Sequence, residues 1–62
     1  MKTYKEMIKG IANAINNLYN TKEPSDIQSY KEGEIEGLIK ATAAIFGKSV
    51  DTVVDDINIE RK

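Results

Sequence analysis

Between Tyr30 and Phe46 the chain reads YKEGEIEGLIKATAAIF, with small residues at Gly33, Gly37, Ala41 and Ala44 in steps of four, four and three. This stretch constrains the fold more than any other. It carries the most apolar mass, and its spacing sets the small residues along one side of an α-helix, where a second helix can approach at short axial distance. Ile27, Tyr30, Leu38, Ala41 and Ile45 form an apolar line on the same helix. The glycine flank lies about 100° round from that line, given 3.6 residues per turn. One helix of this kind can meet two neighbours. The apolar line is expected to bind the first helix of the same chain. The flank of Gly33, Gly37, Ala41 and Ala44 is open to that helix or to another subunit, and the small size of the chain favours the subunit.

Size explains that preference. Sixty-two residues form one domain, residues 1–62, and a chain this short buries only about 60% of the surface its unfolded form exposes. Small scaffolds compensate with disulfides, a metal or a partner. Cysteine and histidine are both absent. That removes disulfides, thiolate sites, the commonest transition-metal ligand and the usual general base. Self-association, or association with another protein, remains. The net charge of −1 gives no bulk attraction to nucleic acid. The opening MKTYKEMIKG lacks the apolar core of a signal peptide, and no apolar run reaches the ~20 residues of a bilayer span. A cytoplasmic location is therefore expected, with no membrane partner. Eight lysines against one arginine, with abundant Ile and Asn, are what A/T-rich codons produce, as in low-GC bacteria and their phages.

Taken in order, Thr3 to Asn20 reads as a helix. Thr3 and Glu6 make a capping box, and Tyr4, Met7, Ile8, Ile11, Ile15, Leu18 and Tyr19 recur at helical period. Gly10, at the margin of the stripe, is either a point of close approach or a tolerated defect. Asn13, Asn16, Asn17 and Asn20 share the opposite side, a solvated face or a set of amides for a ligand. Asn20 suits a left-handed cap, and Pro24 halts continuation. The short break predicts an antiparallel helical hairpin. Ser25 and Gln28 read as a second capping box opening a helix to Phe46, with Ile35 and Phe46 on one flank. Lys31 and Glu34 intrude near the apolar line, so its N-terminal half should be less buried. Gly47 and Ser49 cap a short third helix marked by Val50, Val53, Val54 and Ile57. Asn58 to Lys62 reads as a polar tail. The expected fold is all-α: an antiparallel helical hairpin plus a short third helix, homo-oligomeric.

Chemistry-bearing motifs are sparse. Gly47-Lys48-Ser49 resembles the end of a phosphate-binding loop, but Thr42 stands where that motif needs glycine and a helix precedes it instead of a strand. Gly47 to Val53 resembles the turn of helix-turn-helix regulators, with Ala43 also in place. Lys48 and Asp56 replace apolar positions of that pattern, and Asp51, Asp55 and Asp56 would face phosphates with the wrong sign. The same three aspartates lack the glycine-bearing loop of a calcium site. Glu32, Glu34 and Glu36 alternate around a helix and make no acid–base pair. No catalytic residue, metal site or cofactor is expected. Tyr4, Asn13, Tyr30, Asn17, Lys31 and Lys40 are the candidate ligand residues: aromatics to stack on a base or sugar, lysines for phosphate. The alternative for the tyrosines is core or rim packing.

Ser29 to Leu38, an aromatic followed by G-x-x-x-G-L at the opening of an amphipathic helix, resembles a phrase of very small helical proteins of low-GC bacteriophages. The resemblance covers about a third of the chain. It implies a non-enzymatic binder that counters host defence, by blocking a host protein or sequestering a nucleotide-type signal between subunits. The alternatives are a DNA-binding regulator and a structural phage component.

Overall fold

The computed structural model describes residues 2–62. They form three helices, α1 (Tyr4–Asn20), α2 (Ser25–Phe46) and α3 (Val50–Arg61), and no strand among the described residues. At the start of α1 the Thr3 hydroxyl accepts from the Glu6 amide, and the Glu6 carboxylate accepts from the Thr3 amide, both at 3.2 Å. The Thr3 amide first, and then the Thr3 hydroxyl, which donates to the same carboxylate at 3.0 Å, hold the Glu6 carboxyl below its ordinary 4.5.

Two cap assignments differ from expectation. The α1 C-cap is Thr21, in extended conformation at φ −106 and ψ 127; Asn20 stays helical, and among the described residues only Gly47 has positive φ, at 65. The capping box at Ser25 and Gln28 does not form. Pro24 is the N-cap, without a side-chain cap bond, and its carbonyl accepts from the Gln28 amide at 3.0 Å. Proline holds the residue before it extended, so the helix begins directly after Pro24. Ser25 then occupies a helical position from which it cannot cap. Gly47 and Ser49 behave as the sequence suggests: Gly47 is left-handed, and the Ser49 hydroxyl accepts from the Thr52 amide at 3.1 Å.

The core is built where all three helices meet. Ile8, Ile11 and Ala12 of α1, Ala43 of α2, and Val53 and Ile57 of α3 form one buried cluster, with Tyr4, Ile15, Ile35 and Ile39 packed against it. Thr42 is fully buried, and its hydroxyl donates to the Leu38 carbonyl at 2.7 Å. That bond satisfies the one polar side chain buried in the core among the described residues.

The inward face of α2 is therefore Ile35, Ile39, Thr42, Ala43 and Phe46. This corrects the expectation for Ile27, Tyr30, Leu38, Ala41 and Ile45, all of which are exposed. The two lines lie about 100° apart on the helix. Because α2 is apolar on two sides, periodicity alone could not say which side meets α1.

The third helix is also longer than expected. It runs through Arg61, so the predicted polar tail is helical. Arg61 holds it: Nε donates to Asn16 Oδ1 at 2.9 Å, and the guanidinium lies 5.2 Å from the centroid of the Tyr19 ring. At the other end Tyr4 joins the three helices. Its hydroxyl donates to Asp56 Oδ2 at 2.6 Å, its ring meets Phe46 edge-on at 5.4 Å, and the Lys48 ammonium sits 4.6 Å from its centroid. Burial, then the hydrogen bond and charge of Asp56, push the Tyr4 phenol up to about 12.

Candidate functional site

With 12 residues, α3 is little more than half the length of the 22-residue α2. At 1.5 Å per residue that is about 18 Å against about 33 Å. The C-terminal half of α2 packs on two helices and its N-terminal half on one. One side of α2 is left uncovered along its whole length. Ile27 is 41% exposed, Leu38 45%, Tyr30 69% and Ile45 70%, a run of large apolar side chains in water on a single helix face. Glu34 is the ionisable residue within that line, and Lys31 borders it. An isolated exposed leucine is unremarkable, whereas a line of this kind along one helix marks a contact surface.

The ladder of small residues runs beside this line. A methyl group built on Gly33 or Gly37 meets nothing within 4 Å, and Ala41 and Ala44 are exposed. Of the two neighbours open to the ladder, the first helix of the same chain is thereby ruled out. Gly10 likewise has nothing within 4 Å, so no close approach uses it.

Two open grooves flank the point where Leu18 of α1 meets Ile35 of α2. One, of about 270 Å³, has Asn17, Lys31, Glu34 and Leu38 on its walls. The other, of about 310 Å³, is bordered by Tyr19, Glu32, Glu36, Asn58 and Arg61. The six candidate ligand residues do not converge on either. Asn17 and Lys31 come together in the first groove. Tyr30 and Asn13 project into solvent, and Tyr4 is committed to Asp56 at the far end of the molecule. The Lys31 ammonium lies 2.8 Å from Glu23, and that of Lys40 lies 3.2 Å from Glu36. Both cations proposed for phosphate thus already face a carboxylate. Asn16, assigned to the same solvent face as Asn13 and Asn17, instead binds Arg61.

The helix-turn-helix departures have structural causes. Asp56 is half-buried because it accepts from Tyr4, and the Lys48 ammonium rests on the Tyr4 ring. Asp51 and Asp55 are exposed on α3. Among the described residues no three acidic side chains converge to hold a metal ion, and no helix is long and apolar enough to cross a membrane. The contacts made by Arg61 and Asp56 link residues 45 and 52 positions apart and had no signal in the sequence. Comparison with protein-family models, with curated proteins and with solved structures found no match.

Proposed function

We propose that this protein is a non-enzymatic binding module that works as a homo-oligomer, with the uncovered face of α2 as its contact surface. The observation that carries this is the exposed line Ile27, Tyr30, Leu38 and Ile45, with Gly33, Gly37, Ala41 and Ala44 along its outer margin. Burying such a line contributes roughly 25 cal/mol per Å² of apolar surface, a contribution that a core of this size lacks. The resemblance of Ser29–Leu38 to small phage proteins suggests the setting, counteraction of a host defence by occupation. Within it, blockade of a host protein fits better than sequestering a nucleotide-type signal. The candidate ligand residues Tyr4, Asn13, Asn17, Tyr30, Lys31 and Lys40 do not converge on either groove. A DNA-binding regulator is disfavoured by the exposed carboxylates of α3. Sedimentation velocity over a micromolar concentration series is the test. A dimer or larger species in the wild type and a monomer in Leu38→Lys support the proposal; a monomer throughout for the wild type removes it.

A further inference from the structure

The charges bordering the uncovered face have an order that specifies its partner. Along α2 the sequence runs Ile27, Lys31, Glu34, Leu38, with intervals of four, three and four. At 100° per residue these four residues share an arc of about 60° and span about 16 Å of helix. The pattern is symmetric about the point between Glu32 and Gly33: apolar, basic, acidic, apolar. Reversed, it is its own complement. We infer that the occupant of this face is a second copy of the chain, with the two α2 helices antiparallel about a two-fold axis. In this register Lys31 meets Glu34 of the partner subunit, and Ile27 meets Leu38 of the partner subunit, each pair occurring twice. This deepens the proposed self-association and rests on it.

Three observations support this register. Ile27 and Leu38 are 41% and 45% exposed, so each has apolar surface left to bury. Among the described residues Glu34 has no ion-pair partner, although it lies on an apolar face where an unmatched carboxylate opposes association. Among the described residues Lys31 is held only by the surface pair with Glu23, and its side chain is 45% exposed. Such a pair is worth ~1 kcal/mol at most, so Lys31 is free to face Glu34 of the partner subunit as well. A parallel pair would instead set lysine against lysine and glutamate against glutamate, which repel. Lys31, Glu34 and Leu38 also form one wall of the groove whose other wall is Ala14 and Asn17 of α1. The partner α2 therefore lies over the mouth of that groove, and the two hairpins make a four-helix arrangement of a common type. Isologous contacts of this kind close a dimer.

The chain has no cysteine, which makes cross-linking a clean test. Ile27→Cys and Leu38→Cys chains are purified separately, mixed and oxidised, and each is also oxidised alone. A disulfide dimer formed in the mixture, and little in either chain alone, is the expected result. A companion series measures the dimer constant by sedimentation. Lys31→Glu and Glu34→Lys should each weaken the dimer by roughly tenfold, and the double exchange Lys31→Glu with Glu34→Lys should recover most of that loss. Self-linking of Ile27→Cys as efficient as the mixture, or a dimer insensitive to both single exchanges, overturns the antiparallel register and leaves self-association standing. A wild-type chain that sediments as a monomer overturns both.

Discussion

The two ends of this molecule use the same kind of residue to different effect. Where α3 joins α1 and the C-terminal half of α2, side chains are closed in: Val53 is 0% exposed, Ile57 2% and Ile11 3%. Beyond that core, Leu18 of α1 and Ile35 of α2 hold the helices together with open grooves on both sides, only one of them reached by the end of α3 at Asn58 and Arg61, and Ile27 and Tyr30 remain in water. Hydropathy does not separate the two ends. The number of helices does: three enclose a core, whereas two can cover only one face of each other. Apolar residues at the closed end set stability. Those at the open end are available for another chain.

Substitutions at the two ends should differ in cost. The largest effect is expected at the closed end. Ile57→Ala should destabilise the fold by about 2–5 kcal/mol, comparable to the whole stability of so small a domain, whereas Tyr30→Ala should stay within about 0.5 kcal/mol in dilute solution. Urea unfolding at low protein concentration measures both, and equal costs at the two sites would erase the distinction. A smaller loss, about 1–2 kcal/mol, is expected for Tyr4→Phe, which leaves the half-buried Asp56 without its donor.

Tyr4 also predicts an alkaline limit. Its folded value of about 12 lies above the ordinary 10.0, so the stability it contributes is complete below pH 10 and is lost as pH rises through 12. Tyr4→Phe should remove that step from the pH dependence of unfolding. The smallest effect is a gain. Gly33→Ala and Gly37→Ala should each stabilise α2 by about 0.5–1 kcal/mol, because an added methyl meets nothing within 4 Å. A loss of stability at either position would show a contact on the glycine side.

Much of the local structure was legible in the sequence because it depends on neighbours in the chain. Thr3 with Glu6, Gly47 and Ser49 marked helix ends by chemistry that acts within one turn. Pro24 marked a break correctly, but its effect on Ser25 needed the exact residue at which α2 begins. What stayed hidden depends on three dimensions. Two apolar lines on α2 gave two helical solutions, and only the position of α1 selects Ile35, Ile39, Thr42 and Phe46 as the inner one. Arg61 looked like tail because Asn16 and Tyr19, which hold it, belong to another helix. Of the candidate site, the solvent-facing ladder at Gly33 and Gly37 was visible as a possibility, while the grooves beside Leu18 and Ile35 were not visible at all. The ligand set of Tyr4, Asn13, Asn17, Tyr30, Lys31 and Lys40 failed to converge because residue type says what a side chain can bind but not where the fold puts it.

An interface between copies on the outward face of α2 ties the stability of the fold to protein concentration. Its most direct test is the urea midpoint of the wild-type chain measured from micromolar to several hundred micromolar protein. Coupled folding and association require the midpoint to rise with concentration, and Leu38→Lys should flatten that rise while keeping the helical content. A wild-type midpoint that does not move across the range would contradict the claim.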